Sequence, residues 1–299
     1  MKRVILLAIA AAPLAFAHDG EPLKPHDLWL AWSFDPGIVI PLVLTALLYL
    51  RGAKTAHGVS SKQKFCFWSG WLLLCAALLS PLHPLGEALF SAHMAQHELL
   101  MVVVAPLLVL ARPLVALLWG LPFTWRRALG QGSKRKTIQN SWRFFTRPMT
   151  AWWVQAAAVW LWHIPRFFQA TLDNDWIHSA QHLSFLGSAL LFRWSLSYAH
   201  GKVRYGASVL YLFTTAVHTS ILGALLTFAS TIWYPAYAAT TTAWGLTPLE
   251  DQQAGGLIMW IPAGLVYVIG GLFLFAEWLR ESDRVAKTHF YDRKGEYAA

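Results

Sequence analysis

His93–Ala111, H-M-A-Q-H-E-L-L-M-V-V-V-A-P-L-L-V-L-A, joins two histidines four residues apart to an apolar run. The same opening returns as H-S-A-Q-H at His178–His182, again at the head of an apolar run. On a helix, residues i and i+4 share a face, so His93 and His97 make one ladder and His178 and His182 another. Two such ladders inside a membrane offer four imidazoles to whatever enters the bilayer, and a metal ion is the obvious candidate.

Outward from these phrases, seven apolar stretches can be marked, at roughly 35–50, 65–82, 94–118, 150–168, 178–199, 206–229 and 253–279. A helix needs about 20 apolar residues to cross a bilayer. The chain is 56% hydrophobic and 13% charged, against about 25% charged in a soluble domain. Many of its 17 Trp fall near the ends of the apolar runs, where interfacial belts put them. These features predict an all-α fold, a polytopic transmembrane bundle of seven helices over 35–280. Before it, 1–17 reads as a cleaved signal peptide: Lys2 and Arg3, a short apolar core, then Ala15-Phe16-Ala17. Residues 18–34 become an extracytoplasmic segment and 281–299 a cytoplasmic tail.

Basic residues fix the expected orientation. With the mature N-terminus outside, the inner segments hold Arg51, Lys54, Lys62 and Lys64; then Arg126, Arg127, Lys134, Arg135, Lys136, Arg143 and Arg147. Lys202 and Arg204 follow, and the tail carries Arg280, Arg284, Lys287, Arg293 and Lys294, whereas the outer segments keep only Lys24 and Arg166. This alternation is the positive-inside pattern. The net charge of +9 is thus an inner-leaflet address, with lipid rather than nucleic acid as the partner. The two cysteines, Cys66 and Cys75, share the second stretch, so neither a disulfide nor a thiolate cage is expected on the outer side.

Of twelve histidines, only His57, His200 and His289 fall on the inner side. His18, His26, His83, His93, His97, His163, His178, His182 and His218 lie outside or in the outer half of a span, which argues for a shared site there. His83 and His163 close the second and fourth spans, and the paired phrases open the third and fifth. Imidazole accepts copper, zinc, nickel and iron alike, while thioether selects Cu(I). His93, His97 and Met101 stand at i, i+4 and i+8, a stripe that favours copper. Glu87, Glu98, Glu250 and Asp251 keep zinc open, and one haem between His97 and His182 is a further reading. His18, freed by cleavage, could chelate copper with its amine and imidazole, His26 adding a third nitrogen.

Plainer readings stand beside these. An intramembrane histidine is costly and by default functional. Yet His218, amid Thr214, Thr215, Thr219 and Ser220, could bond neighbouring helices. His83 and His163 lie near prolines at helix ends, and Met101 could be core. His97-Glu98 does not continue into H-E-x-x-H, because Met101 stands where the second histidine belongs. Thr247-Pro248-Leu249-Glu250 reads as a capping box rather than a catalytic pair. Asp173, Asn174 and Asp175 are N-cap candidates. No phosphate loop or activated nucleophile is present, so no enzymatic activity is expected.

The phrases P-L-H-P-L-G-E (Pro81–Glu87), S-A-H-M-A-Q-H-E-L-L-M (Ser91–Met101) and A-P-L-L-V-L-A-R-P (Ala105–Pro113) resemble the CtaG family of caa3-type cytochrome c oxidase assembly factors. So do W-L-W-H-I-P (Trp160–Pro165), H-S-A-Q-H-L-S-F-L (His178–Leu186), H-T-S-I-L-G-A-L-L-T (His218–Thr227) and W-G-L-T-P-L-E-D-Q-Q-A-G-G-L-I-M-W (Trp244–Trp260). The resemblance implies an assembly role for a haem-copper oxidase, commonly framed as copper delivery. Its expected partners are the oxidase subunits and a periplasmic copper donor. On the histidine placement, His93, His97, His178 and His182 would form the core site. Met101, His83, His163 and His218 would be secondary ligands, and His18 and His26 a capture site. The alternatives are a haem-binding electron carrier and a metal-free scaffold.

Overall fold

A computed structural model describes residues 23–56, 58–198 and 204–296. The expected signal peptide and His18 lie outside the described residues. Among the described residues every regular element is helical. A short turn at Pro25–Leu30 leads into α1 (Pro36–Thr55), where the Asp35 carboxylate accepts the Gly37 N–H at 2.8 Å. α2 (Ser61–Leu79) opens on a reciprocal Ser60–Gln63 capping box, and α3 (Leu82–Ala88) continues it through a bend of 42°. Next come α4 (Phe90–Ala111), α5 (Pro113–Gly120), α6 (Phe123–Gly132), α7 (Lys136–Phe145), α8 (Pro148–Trp162) and α9 (Pro165–Asp173). α10 (Asp175–Tyr198), α11 (Arg204–Thr227) and α12 (Pro248–Glu296) complete the order.

Several boundaries differ from the expected spans, each for a local reason. The stretch 94–118 is two helices, because Arg112 adopts φ 48° before Pro113. A residue preceding proline is kept from right-handed helix, and the left-handed conformation is held from outside. The Arg112 Nε donates to the Tyr198 hydroxyl at 2.7 Å and the guanidinium lies 4.5 Å from that ring's centroid. The expected span 150–168 likewise breaks at His163–Pro165 into α8 and α9. The basic segment 119–149 is not a plain loop but the two exposed helices α6 and α7. α12 runs past the expected membrane boundary into what the sequence suggested was a tail.

Among the described residues four helices are long and apolar enough to cross a membrane: Pro36–Thr55, Phe90–Ala111, Gly206–Thr227 and Pro248–Asp283. The bent pair α2–α3 makes up to five when taken as one span. Their outward faces are apolar: Ile40, Leu44 and Leu47 on α1, Phe213 and Ile221 on α11, Ile261, Leu265 and Leu272 on α12 are all exposed. Hydrocarbon, not water, solvates such faces.

Two cores lie inside. The smaller joins α1, α2, α4 and α5 through Tyr49, stacked on Phe67 with centroids 3.5 Å apart, with Cys66, Ala111 and Ala116. The larger runs from Phe90 and Met94 of α4 through Phe168, Phe185 and Phe192 to Leu222 and Met259. Helix backbones meet closely at two places. A Cβ on Gly52 would strike the Ala116 carbonyl, and one on Gly120 the Leu48 carbonyl, so α1 and α5 touch backbone to backbone. Gly223 and Gly256 do the same for α11 and α12. Small residues permitting such contact are a packing device of membrane helices.

Overpacking a close interface costs about 1–3 kcal/mol, and here the obstacle is backbone. Gly52→Val should therefore lower the thermal unfolding midpoint of the detergent-purified chain. Gly130→Ala, where nothing lies within 4 Å, should leave it in place.

Candidate metal centre

α4 carries the first histidine pair, and its start is set from across the bundle. Leu89 at its N-cap supplies no side-chain acceptor. Instead the Asp251 carboxylate of α12, 0% exposed, accepts the Phe90 N–H at 2.6 Å, the Ser91 N–H at 3.1 Å and the Ser91 hydroxyl. A helix's first N–H groups need such acceptors, and buried ones without a partner are expensive. The neighbours of Asp251 are also structural. Thr247 and Glu250 form the expected capping box, while the Gln252 amide holds Trp233 N–H and Thr231 C=O. α10, carrying the second pair, starts with the Asn174 side chain accepting from Trp176 and Ile177 N–H at 2.9 and 3.1 Å.

Between α3, α4 and α10 five imidazoles meet. His93 and His97 have ring centroids 4.3 Å apart, His178 and His182 4.4 Å, and His97 and His182 5.1 Å. His83 of α3 stacks on His178 at 5.3 Å, and His93 does so at the same distance. Ring nitrogens gather into two groups, His83–His178–His182 and His93–His97–His182, in each of which the ligand atoms all lie within 4.8 Å of one another. His182 belongs to both. The second group is buried throughout, whereas His83 is half-buried and gives the first an outer edge.

The surroundings engage some nitrogens and leave others bare. His93 Nδ1 is 3.2 Å from the Gly86 carbonyl and its Nε2 3.2 Å from the Gln181 side-chain amide. The Gln96 amide donates to the Ala77 carbonyl at 2.7 Å and to His83 Nδ1 at 3.1 Å. The glutamine within each H-x-x-Q-H phrase thus orients an imidazole; its recurrence in both phrases was a sequence signal for that role. Tyr237, between α11 and α12, donates to the Gly86 carbonyl at 2.9 Å. Burial pushes the Tyr234 and Tyr237 phenols up, so both stay protonated donors; nearby Asp251 and Glu87 add to the effect at Tyr237. Both nitrogens of His97 and the Nε2 atoms of His178 and His182 are buried without a hydrogen-bond partner in the described structure. Such bare nitrogens are costly as polar groups and useful as metal ligands.

The remaining candidates are spread out. His163 lies beyond the end of α8, with Nε2 3.4 Å from the Met94 sulfur. The thioether found against an imidazole is therefore Met94. Met101 sits in the π-helical stretch Leu99–Val104 and is buried in the larger apolar core. His218 lies apart from the five, against Trp152 and taking the Trp160 indole N–H at 3.3 Å. His26 is exposed on the Pro25–Leu30 turn, 3.3 Å from Asp27. No carboxylate enters either imidazole group among the described residues. Glu250 and Asp251 are engaged as caps, and Glu87 is exposed. An all-imidazole cluster suits copper and zinc alike.

Asp251→Ala would strand two buried N–H groups at the head of α4. It should destabilise the protein by about 2–4 kcal/mol, read as a lower unfolding midpoint in detergent. The exposed cap variant Glu250→Ala should shift it less.

Comparison with known proteins gives a consistent picture. The family model described as cytochrome c oxidase caa3 assembly factor (Caa3_CtaG) matches residues 44–281. Uncharacterised proteins of Mycobacterium bovis and Mycobacterium tuberculosis are each 26% identical over 285 residues. One of Mycobacterium leprae is 26% identical over 282 residues. These matches cover 89% of this chain and 42% of each relative, so the chain spans less than half the length of those proteins. No solved structure matches. With its family match extending from the middle of α1 through most of α12, the chain belongs to the caa3 cytochrome c oxidase assembly factors.

Proposed function

We propose that this assembly factor carries copper in its buried imidazole cluster and passes it to a haem-copper oxidase in a bacterial plasma membrane. The observation that carries the proposal is the pair of three-imidazole groups with unpartnered nitrogens. Copper is the cargo, taken from a periplasmic donor at the half-buried His83 edge and held deeper by His93, His97 and His182. The function needs ligand exchange and no turnover, so the role is not enzymatic. Family membership supports the oxidase as the partner.

The proposal includes seven spans with the N-terminus outside and the C-terminus in the cytoplasm. α10 averages too polar to register as a span, but its polar residues are turned inward. His178, Gln181, His182, Ser188 and Ser195 are buried, while Leu183 is exposed. α8 is short, at 15 residues, and would cross with α9 completing its path. The basic α6–α7 pair follows the far end of α4, roughly 25 Å along the helix from His93, which matches a cytoplasmic location for that face and an outer one for the cluster. Haem is the weaker reading. The imidazoles are in contact with one another, and Phe185 covers His97 with centroids 4.5 Å apart, leaving no slot for a porphyrin between His97 and His182.

Detergent-purified protein loaded anaerobically with copper and reductant should retain near-stoichiometric metal. The double variant His93→Ala/His97→Ala should lose it, His218→Ala should keep it, and oxidase copper content in cells should fall only with the double variant. Copper absent from the wild type, with oxidase assembly intact in the variant, would favour the scaffold; a Soret band would favour haem.

A further inference from the structure

We propose that Met94 and His163 form a soft-metal position, distinct from the two imidazole groups, that commits the cargo to Cu(I). The inference rests on the copper-carrier reading above and deepens it.

The argument begins with a proton. His163 Nδ1 lies 2.6 Å from the Val159 carbonyl. A carbonyl only accepts, so the proton of the neutral ring is on Nδ1 and Nε2 presents a lone pair. That lone pair meets the Met94 sulfur at 3.4 Å, and a thioether has no proton to give. Two electron-pair donors therefore face each other. Protonating the ring would supply an N–H for the sulfur, but it would create an imidazolium in an apolar setting. Met94 is 0% and His163 3% exposed; Met94 belongs to the core that holds Val159, Phe168 and Phe185, and the His163 ring centroid lies 6.1 Å from that of Phe185. A soft cation between nitrogen and sulfur satisfies both donors without that proton.

Both ligands are held in place. The Tyr234 hydroxyl donates to the His163 carbonyl at 2.8 Å, fixing the turn that ends α8. Met94 occupies space that α12 leaves open: a Cβ on Gly255 would stand 3.3 Å from the Met94 Cγ and collide with the Phe90 ring. Met94 directly follows His93 in α4. His97 and His163 both pack on Phe185, at centroid distances of 4.5 and 6.1 Å.

Ligand softness separates this position from its neighbours. Imidazole groups accept zinc and copper alike, whereas a thioether prefers Cu(I) and its analogue Ag(I). Two ligands leave Cu(I) with room for a third, which is the opening an exchanging imidazole needs. The metal arrives and leaves as Cu(I), and no electron is transferred.

The test is a set of anaerobic competition titrations of the full-length detergent-purified chain with Cu(I), Ag(I) and Zn(II), on wild type, Met94→Leu and Met101→Leu. Leucine conserves volume well at a methionine site. Met94→Leu should weaken Cu(I) and Ag(I) binding by about tenfold or more and leave Zn(II) binding unchanged; Met101→Leu should change neither. Equal Cu(I) and Ag(I) affinity in wild type and Met94→Leu would overturn the soft position while leaving the imidazole carrier intact. Failure of the wild type to hold any of the three metals would sink both. Copper-edge X-ray absorption of selenomethionine-labelled wild type decides the case even if Met94→Leu is unstable. A selenium neighbour to copper is expected, and its absence in copper-loaded protein rejects the proposal.

Discussion

The carboxylate of Asp251, buried with its oxygens on the first N–H groups of α4, is the constraint from which the rest of the site follows. It joins α12 to α4 across 160 residues of sequence. α4 can begin inside the bundle, without a polar residue at its own N-cap, because α12 brings the acceptor to it. Gly255, one turn on from Asp251, makes room for Phe90 and Met94. One turn of α12 thus sets where α4 starts, how deep it lies and which side chains of its first two turns reach α10 and α8.

An apolar bundle tolerates so many polar groups because most are satisfied locally. The glutamine of each H-x-x-Q-H phrase orients the imidazole of a histidine outside its own phrase, Gln96 that of His83 and Gln181 that of His93, and Gly86 offers one carbonyl to both His93 and Tyr237. Threonines and serines of α10 and α11 bond back to carbonyls three or four residues earlier, as Thr215, Thr219, Ser188 and Ser195 do. The bare nitrogens of His97, His178 and His182 are not used by the bundle's own bonding among the described residues, and neither are Gln96 Oε1 and Gln181 Nε2 beside them.

Much of this was legible in the sequence. The repeated phrase located the cluster because i and i+4 spacing survives wherever a helix is regular, and the Thr247–Glu250 cap was readable because capping is local chemistry. The stripe through Met101 rested on 3.6 residues per turn, a spacing from which the π-helical stretch at Leu99–Val104 departs. The break at Arg112 had a visible cause in Pro113, but the hydrophobic count ran across it. Asp251 and Met94 act through contacts between distant helices, which no local pattern encodes. The polar residues in 178–199 lower the mean hydropathy of α10, and His178, Gln181, His182, Ser188 and Ser195 among them are buried.

The membership of His182 in both imidazole groups has a consequence for occupancy. An ion that takes His182 into one group deprives the other of its third ligand, so the two positions are alternatives rather than a pair of independent sites. A second ion would meet only two imidazoles and added cationic charge, and binding would be anticooperative. On the copper-carrier proposal the cluster would be a vehicle with a single berth, its capacity set by the sharing of one side chain.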